Sequence, residues 1–471
     1  MDNRLEAVRQ RMLDSGISEE EINALIIPLQ EALEFRVCGL ARESGAADSD
    51  LIPDPENKRP VLIPDKDRNI ITDITGNGNS HLLIEGENLL ALMAMQYIYT
   101  DGNNNGTIDV IYIDPPYNTG NITFDYNDRY EKSEWLSMMN VRLRLAKDLL
   151  ADDGMIFVQI DEELQAELKL LLNEIFGEEH FINCICVKMS ELSGVKMTHT
   201  EKRLPKVKEY VYAYGMENTT IRPVIANKSD DPEKFEKYLK YYSRIIENPG
   251  DKPEEWNIMK LKDYLRKYHS DIDPKDEQQV REFKLTHAER MVYRTNNKSF
   301  DKDMFPGGTH EVTSAEGIRY IWWEGKQMLF LSDHTSGSLG DLWTDISTIN
   351  LNKEGGVDFR NGKKPLKLLK RLLGMINKDN ITVLDFFAGS GSTAQAVLEM
   401  NDEDGQHRRF ILCNNNELGE DAVKAAEKAG AAIGSLEWES FGVCRSRTYP
   451  RMKNIFEGRT GDNLYYYRVS V

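Results

Sequence analysis

Cysteine is scarce in this chain, and the few cysteines that occur are widely scattered. The 471 residues include five, namely Cys38, Cys184, Cys186, Cys413 and Cys444. No C-x-x-C pair occurs among them, so neither a disulfide framework nor a zinc ribbon is supported. No H-E-x-x-H motif or comparable histidine cluster occurs either, and no metal site is predicted. These features favour a reducing, cytoplasmic compartment.

Long apolar runs and two familiar signals are also missing. No segment approaches the roughly 18–20 apolar residues that a membrane-spanning helix needs, and no signal-peptide pattern opens the chain. We therefore expect no membrane partner. The G-x-x-x-x-G-K-[ST] motif is absent, which excludes a P-loop ATPase or helicase.

Basic charge is in deficit overall but is concentrated locally. The chain has 59 Lys and Arg against 78 Asp and Glu, a formal net charge of −19. Nonspecific coating of nucleic acid depends on excess Lys and Arg, so this activity is disfavoured. Residues 188–208 nevertheless carry six basic side chains against two acidic ones, and residues 359–371 carry six with no acid. Each run is predicted either to be a solvated face or to line a local basic cleft.

The order of predicted elements indicates an α/β fold. Apolar strands alternate with amphipathic helices in two stretches of the chain, which is typical of a parallel, doubly wound sheet. The predicted strands are 81–86, 109–114, 154–161, 208–215, 381–387 and 408–414, and the helices are 87–99, 131–151, 162–177, 364–377 and 392–401. Between these stretches the sequence is polar, with charged helical pieces at 232–247, 254–268 and 277–292 and a hairpin signal at 318–331.

Four segments follow from this order. Residues 1–60 are predicted to be a helical N-terminal segment and linker, because Ser18 and Glu21 form a capping box before an apolar periodic run. Residues 61–215 and 346–471 carry the α/β pattern, and residues 216–345 are predicted to be an inserted domain.

The stretch "DVIYIDPPYNTG" (109–120) runs a buried strand into Asp114, Pro115, Pro116 and Tyr117. Proline cannot donate a backbone hydrogen bond and fixes φ, so the strand must end there with an acid and a ring held rigidly. In open α/β sheets, ligands sit at the carboxyl ends of strands. The motif alone is equally consistent with a proline-rich turn and a solvated aspartate.

A second constellation lies in "ITVLDFFAGSGSTAQAVL" (381–398), which predicts a strand, a tight glycine turn and a helix. Gly389 and Gly391 allow the backbone to approach a ligand closely, and with Ala394 they complete a G-x-G-x-x-A pattern. A helix N-terminus accepts either a pyrophosphate or a carboxylate. The next strand ends in "CNNNE" (413–417), where Glu417 or an asparagine can take ribose hydroxyls. The turn therefore predicts a nucleoside-bearing cofactor without specifying which one.

Together the two constellations suit methyl transfer to an exocyclic amine. The amino group of adenine is a weak nucleophile because its lone pair is delocalised into the ring. The Asp114 carboxylate and a backbone carbonyl of the Pro115-Pro116 step would accept its two hydrogens, which is catalysis by positioning and electrostatics. Tyr117 would stack on an extruded base, and such stacking, at about 1–3 kcal/mol, offsets much of the extrusion cost.

At these residues the chain resembles the β class of amino-methylating DNA methyltransferases, in which D-P-P-Y precedes and F-x-G-x-G follows a target-recognition domain. "DPPYNTGN", "VLDFFAGSGSTAQAV" and the closing "CRSRTYPRMKNI…GDNLYYYR" look most like the modification (Mod) subunits of type III restriction–modification systems. The resemblance covers roughly residues 80–215 and 340–470. It implies a permuted Rossmann-like sheet with an inserted target-recognition domain.

The resemblance also implies the chemistry. It implies S-adenosylmethionine as the donor, adenine N6 in duplex DNA as the acceptor, a homodimer, and a restriction (Res) subunit as partner. The implied catalytic residues are Asp114, Pro115, Pro116 and Tyr117. The implied cofactor-binding residues are Glu87, Asn88, Lys364, Pro365, Asp385, Phe386, Phe387, Ala388, Gly389, Ser390, Gly391, Ser392 and Glu417. We expect Lys196, Lys202, Arg203 and Lys206 to contact DNA, and Lys370 and Arg371 to be solvated.

Other functions compete with this interpretation. A cytosine-N4 methyltransferase would use the same chemistry, although such enzymes more often resemble S-P-P-Y. A protein-glutamine methyltransferase resembles N-P-P-Y, places the glycine motif first and lacks the insertion. A NAD dehydrogenase would leave the 114–117 motif unexplained. A catalytically inactive DNA-recognition subunit is the remaining alternative, and its mark would be loss of cofactor binding.

Overall fold

The structure is a computed structural model, and it describes most of the chain after residue 59. The described residues are 60–75, 78–101, 105–119, 128, 130–190, 204–227, 232–295, 308–313, 319–323, 325–334, 336–348, 351–357, 359 and 363–470. The predicted N-terminal helix and Lys196, Lys202 and Arg203 lie outside them. The chain divides into two compact units, one formed by the segments 1–222 and 341–471 and the other by 223–340.

The strands and helices are numbered here in chain order. The strands are β1 (Val61–Pro64), β2 (Ile70–Ile71), β3 (Asn79–Glu85), β4 (Ile108–Ile113), β5 (Leu150–Ile160), β6 (Phe181–Lys188), β7 (Lys208–Gly215), β8 (Ile225–Asn227), β9 (Arg244–Ile246), β10 (Ile258–Lys260), β11 (Met291–Arg294), β12 (Thr309–Thr313), β13 (Arg319–Trp323), β14 (Lys326–Phe330), β15 (Ser336–Ser338), β16 (Leu342–Trp343), β17 (Thr382–Asp385), β18 (Arg409–Asn414) and β19 (Asp462–Ser470). The helices are α1 (Asn88–Met95), α2 (Lys132–Leu149), α3 (Gln165–Phe176), α4 (Pro232–Tyr241), α5 (Leu261–Tyr268), α6 (Glu277–Thr286), α7 (Leu366–Gly374), α8 (Ser392–Asp404), α9 (Glu420–Lys428), α10 (Leu436–Glu439) and α11 (Tyr449–Phe456).

One large sheet organises the first unit. Its strand order is β1-β19-β3-β18-β17-β4-β5-β7-β6-β16, with β2 paired to β19. The run from β19 to β5 is parallel throughout. Strand β7 is antiparallel to both of its neighbours, and β1 and β2 are antiparallel to β19. The predicted parallel sheet is thus present from β19 to β5, and the antiparallel β7 is an addition that the sequence did not predict.

Chain order and sheet order differ at the centre of this sheet. Strands β17 and β18, from the C-terminal part of the chain, lie between β3 and β4 from its N-terminal part. The two separate α/β stretches of the sequence thus contribute neighbouring strands to a single sheet. This placement brings residues hundreds of positions apart to the same edge.

The core explains why the central strands are mostly apolar. All six residues of β4 are buried, as expected for a strand covered on both faces. On one face Ile111 and Ile113 join a cluster with residues of α1, α2 and α3, including Trp135 and Leu172. Val110 and Tyr112, which alternate with them, are also buried.

The second unit, residues 223–340, is richer in strands than the sequence predicted. Its six-stranded sheet has the order β10-β9-β11-β14-β13-β12, all antiparallel, and β8 pairs with β15. The predicted helical pieces end early, and short strands follow or precede them, as at Arg244–Ile246 and Ile258–Lys260. Ile245 and Ile246 are buried in this unit's core, so tertiary burial outweighs local helical spacing there.

The hairpin predicted near residue 325 is present as β13 paired with β14, and Gly325 has a φ of 71°. A helix that spans a bilayer needs about 20 mostly apolar residues. Within the part of the chain that the structure describes, no helix is both long enough and apolar enough to cross a membrane.

Candidate active site

The candidate site lies where β4 and β17 end side by side. Val383 is paired with Val110 and Leu384 with Ile111 in a parallel register, so the carboxyl ends of both strands reach the same sheet edge. Asp114 follows β4, and Asp385 is the last residue of β17. A cavity opens at this edge, as expected for an α/β sheet.

Most of the predicted site residues line this one cavity. Those that do are Glu87, Asn88, Asp114, Pro116, Lys364, Asp385, Phe386, Phe387, Ala388, Gly389, Ser390, Ser392 and Glu417. Pro115, Tyr117, Pro365 and Gly391 belong to the same turns but are not part of its wall. Residues that the sequence did not single out complete the lining: Tyr112, Tyr130, Met138, Arg142, Phe359, Leu369, Thr393, Asn414, Asn415 and Val443.

The turn formed by residues 114–117 is held by hydrogen bonds from outside it. The Trp135 indole Nε1 donates to the carbonyl oxygen of Pro116 at 2.7 Å. Just after the turn, Asn118 adopts a φ of 59°, and its backbone N–H donates to Asp128 Oδ1 at 2.8 Å. The Asn118 side chain accepts in turn from the backbone N–H of Tyr130 at 2.7 Å. The turn is therefore anchored to α2 and to the segment before it.

A cluster of ionisable side chains surrounds Asp114. Lys364 Nζ lies 3.1 Å from Asp114 Oδ2 and 3.2 Å from Glu209 Oε2. It also donates to the Tyr117 hydroxyl oxygen at 2.9 Å. The Tyr117 hydroxyl lies 2.5 Å from Asp114 Oδ1 and 2.9 Å from Glu209 Oε2. One ammonium and one phenol thus connect two carboxylates from different strands.

Burial dominates the electrostatics of this cluster. Desolvation raises the pKa of Asp114 to about 6, against the opposing effect of the Lys364 ammonium. For Lys364, burial acts to lower the pKa, but Asp114 and Glu209 together raise it above its ordinary value. Burial likewise acts to raise the pKa of Glu209, but Lys364 and the hydrogen bond from Gln159 lower it overall. Near pH 7 all three groups are therefore mainly charged.

Glu209 was missed by sequence analysis, and its neighbours explain why its side chain is only 20% exposed. It lies in β7, and its Oε2 accepts from Gln159 Nε2 at 2.6 Å. Gln159 lies in β5, and its Oε1 accepts from the Tyr112 hydroxyl of β4 at 2.7 Å. A glutamate in an alternating strand carries no motif, so only the pairing of β7 with β5 identifies it.

The glycine-rich turn (386–391) is shaped by two left-handed glycines and a buried acid. Gly389 has a φ of 50° and Gly391, the N-cap of α8, a φ of 80°. Asp385 Oδ1 accepts from the Phe387 backbone N–H at 3.1 Å, and Oδ2 accepts from the Thr393 hydroxyl at 2.6 Å. Burial raises the pKa of Asp385 to about 7. This acid therefore joins the end of β17 to the first turn of α8.

The C-terminal part of the chain supports the same turn from behind. Arg451 of α11 is fully buried, and its Nη1 donates to the hydroxyls of Ser390 and Ser392, each at 2.9 Å. The Thr448 hydroxyl donates to the Gly389 carbonyl at 2.6 Å. These bonds give a structural role to the "CRSRTYPRMKNI" stretch, whose resemblance to Mod subunits did not indicate what it contacts.

Glu87 and Asn88 meet the cavity at the start of α1. Glu87 Oε2 caps the helix by accepting from the Leu89 backbone N–H at 2.6 Å. Arg142 of α2 donates to Glu87 Oε1 and to Asn88 Oδ1, each at 2.6 Å. Asn88 Nδ2 donates to the Phe386 carbonyl at 3.0 Å, which connects α1 to the glycine-rich turn. Arg142 is buried, whereas a basic residue inside an amphipathic helix would ordinarily be assigned to solvent.

Two basic residues outside the cavity, Arg371 and Lys206, form ion pairs with acidic side chains. Arg371 was expected to be solvated, which is wrong: its guanidinium donates to both carboxylate oxygens of Asp345, at 2.8 and 2.6 Å, and its side chain is 10% exposed. Lys206, expected to contact DNA, lies 2.7 Å from Glu163 and 3.4 Å from Asp161. This arrangement favours an ion-pair role for Lys206 over a phosphate contact.

The charge of the cavity wall bears on which cofactor fits. Four acids line it, Glu87, Asp114, Asp385 and Glu417, against two bases, Arg142 and Lys364. A wall with excess acid repels a pyrophosphate and attracts a ligand of net positive charge. The glycine-rich turn alone left the kind of cofactor open. The acidic wall makes a dinucleotide a poorer match than a nucleoside cofactor with a net positive charge.

The comparison with protein families agrees with this site. The family model described as DNA methylase (N6_N4_Mtase) matches residues 108–428, which include both the 114–117 motif and the glycine-rich turn. The chain therefore belongs to this family of DNA methylases.

Relatives within the family are named as restriction–modification proteins. The chain is 33% identical over 373 residues to the probable type III restriction-modification enzyme HindVI Mod subunit of Haemophilus influenzae, covering 69% of this chain and 48% of that protein. It is 30% identical to the StyLTI Mod subunit of Salmonella typhimurium, covering 79% and 57%. It is 28% identical to the type II methyltransferase M.KpnI of Klebsiella pneumoniae, covering 66% and 76%. The predicted resemblance to Mod subunits is confirmed, and the chain spans about half the length of the Mod relatives named here.

Proposed function

We propose that this protein transfers a methyl group from S-adenosylmethionine to adenine N6 in duplex DNA, as the modification component of a type III restriction–modification system. Membership of the DNA methylase family and likeness to named Mod subunits support this activity. The observation that carries the proposal is the single cavity lined by both Asp114 and the glycine-rich turn. An acid suited to binding an amine and a turn suited to binding a nucleoside share this cavity, which supports the proposal.

The residues of the cavity fit S-adenosylmethionine. At neutral pH this molecule has a net positive charge, which suits a wall of four acids and two bases. Gly389 presents backbone without a side chain on the wall, and Glu417 is available for ribose hydroxyls. Lys364 and the N-terminus of α8 are the groups of suitable sign for its carboxylate. When bound, S-adenosylmethionine supplies a methyl group made electrophilic by the positively charged sulfur.

Asp114 is the residue that prepares the target amine. Its carboxylate accepts one N6 hydrogen, which draws the amine lone pair out of the ring and toward the incoming methyl carbon. The Pro116 carbonyl already accepts from the Trp135 indole. That oxygen keeps a second lone pair and Pro116 lines the cavity, so a backbone carbonyl of the Pro115-Pro116 step is the proposed acceptor for the second hydrogen. After transfer the nitrogen carries one proton too many, and a carboxylate with a pKa of about 6 can receive it and pass it to water.

The remaining features of the proposal concern DNA. Tyr117 would stack on the target base, which must leave the duplex to reach Asp114. The fold would be a permuted methyltransferase domain made of residues 61–215 and 346–471, with a target-recognition domain at 216–345. Support comes from the interleaved strands of the first unit and from the separate compactness of residues 223–340. A cytoplasmic homodimer that associates with a restriction subunit completes the proposal.

Transfer of labelled methyl groups tests the proposed activity. Wild-type protein, S-adenosylmethionine and mixed-sequence duplex DNA should yield label in N6-methyladenine, and Asp114→Ala should abolish it. The matched control is Glu174→Gln, which alters an ion-paired carboxylate of α3 away from the cavity and should leave transfer intact. Label in N4-methylcytosine would instead support the same mechanism with cytosine as the target base. An absence of cofactor binding by wild-type protein would refute the enzyme and favour an inactive recognition subunit.

A further inference from the structure

The Tyr117 hydroxyl lies between two carboxylates but has only one hydrogen to donate. Asp114 Oδ1 lies 2.5 Å from the hydroxyl oxygen and Glu209 Oε2 lies 2.9 Å from it. Near pH 7 both acids are mainly ionised and have no hydrogen to donate to the phenol, whose oxygen accepts from Lys364 Nζ at 2.9 Å. At any moment Tyr117 therefore donates to Asp114 or to Glu209, and not to both.

Lys364 contacts the same two carboxylates, and its three hydrogens can serve Asp114, Glu209 and Tyr117 together. Its ammonium lies 3.1 Å from Asp114 and 3.2 Å from Glu209, nearly the same distance from each. In this arrangement each Asp114 oxygen already has a donor, Tyr117 on Oδ1 and Lys364 on Oδ2. The proposed reaction, however, requires this carboxylate to accept a hydrogen from the target amine.

We propose that Glu209 is a positioning residue for methyl transfer: it receives the Tyr117 hydroxyl hydrogen and holds the Lys364 ammonium when Asp114 accepts from the target amine. This is an inference that rests on the proposed function. Glu209 lets the Tyr117 hydrogen change partner while the Lys364 ammonium stays paired, so that no charge in the cluster is left without a partner. Without the second carboxylate, the Tyr117 hydrogen and the Lys364 charge would both stay with Asp114 and weaken it as an acceptor for the target amine.

The surroundings of Glu209 suit this role. Gln159 Nε2 donates to Glu209 Oε2 at 2.6 Å, and Gln159 is itself held by the Tyr112 hydroxyl at 2.7 Å. The chain of bonds crosses β4, β5 and β7, so Glu209 is fixed by the sheet and not by a mobile loop. The hydrogen bond from Gln159 and the charge of Lys364 keep Glu209 ionised by lowering its pKa against the effect of burial.

The charges that face Asp114 define a second, measurable consequence. They come from Lys364 before α7, Glu209 of β7 and Asp385 at the end of β17, with the phenols of Tyr112 and Tyr117 close by. Among them the negative charge of Glu209 acts to raise the pKa of Asp114. Removing that charge should therefore move the titration of Asp114 to lower pH.

The test compares pH profiles of methyl transfer for wild type, Glu209→Gln and Glu209→Asp. Glu209→Gln keeps the shape of the side chain and removes its charge. At saturating cofactor and DNA its kcat at pH 8 should fall about tenfold or more, as for a lost charge-assisted hydrogen bond. The decline of its kcat/KM at low pH should also shift downward, by about half a pH unit or more. Glu209→Asp keeps the charge and should keep the wild-type pH profile with a smaller loss of kcat.

Control measurements separate this role from a structural one. Glu174→Gln should match wild type in both kcat and pH profile. If Glu209→Gln also matches wild type, or loses kcat with an unshifted profile and a lower melting temperature, Glu209 is not a positioning residue. No methyl transfer by wild-type protein would instead refute the proposed function, and the inference with it. Transfer by wild type together with an unshifted Glu209→Gln profile would refute the inference alone.

Discussion

Replacing Gly391 with alanine tests whether the glycine-rich turn is as tightly built as the contacts indicate. Gly391 is the N-cap of α8 with a φ of 80°, a conformation that L-residues adopt at a cost. A Cβ added there would lie 2.7 Å from Met452 Cε, within a fully buried side chain. Gly405, at the other end of the same helix, provides a matched control: its φ is 73°, and an added Cβ would have no atom within 4 Å.

The expected magnitudes follow from these two sites. Both substitutions place alanine in the left-handed region, which costs about 1–2 kcal/mol. Gly391→Ala also forces a methyl group into a packed core, which typically adds about 1–3 kcal/mol. The free energy of unfolding should thus fall by about 1–2 kcal/mol for Gly405→Ala and by about 2–5 kcal/mol for Gly391→Ala. Cofactor affinity should fall only for Gly391→Ala, because Gly405 lies about 20 Å away along the 13-residue helix.

Urea denaturation and calorimetric titration with S-adenosylmethionine measure the two quantities. Equal destabilisation by Gly391→Ala and Gly405→Ala would show that the Met452 contact is relieved without cost. Unchanged cofactor affinity in a folded Gly391→Ala variant would refute the assignment of this turn to cofactor binding.

Two further predictions concern buried charges. The kcat/KM of wild-type protein should decline below about pH 6, because burial raises the pKa of Asp114 to about 6 and only the carboxylate accepts from the amine; a profile flat down to pH 5 would contradict this role. Asp114→Asn should lower the rate by about 10²–10⁴-fold and lose this pH dependence, both measured in single-turnover assays. Arg445→Met should lower the free energy of unfolding by about 3–5 kcal/mol, because it leaves the buried Glu85 carboxylate without its guanidinium. Arg144→Met removes a guanidinium that is half exposed and should cost about 1 kcal/mol or less in the same urea experiment; equal losses would show that burial of the guanidinium does not matter.

Local sequence patterns predicted the elements of the first unit well. The strand expected at 109–114 is found at Ile108–Ile113, and the strand at 208–215 matches Lys208–Gly215. The helix expected from 364 begins at Leu366, because Pro365 is its N-cap and restricts Lys364 to an extended conformation. Patterns of this kind depend on neighbouring residues only, so they are readable before the fold is known.

Local patterns were less informative in the second unit. Residues 244–246 and 258–260 fell within predicted helical pieces but form β9 and β10. Three-residue strands carry too little periodicity to be recognised, and their conformation is stabilised by pairing with β11 and with each other. Partners distant in sequence outweighed helical spacing there.

Some residues of the candidate site were likewise predictable from local sequence, and others were not. Asp114 and the glycine-rich turn were identified from sequence because proline and glycine constrain the backbone wherever they occur. Glu209, Arg142 and Arg451 were not, because a charged residue within a strand or helix is ordinarily solvated. Their burial depends on contacts such as Lys364 with Glu209, 155 positions apart along the chain.

Sequence alone thus determined the chemical groups available to this protein and the rigid turns that present them. Tertiary structure determined which of those groups meet. The pairing of β17 with β4 set Asp114 beside Asp385, and the pairing of β7 with β5 brought Glu209 to Lys364. The physical reason is that turn geometry arises from the dihedral limits of single residues, whereas strand neighbours are selected by burial of surfaces from remote parts of the chain.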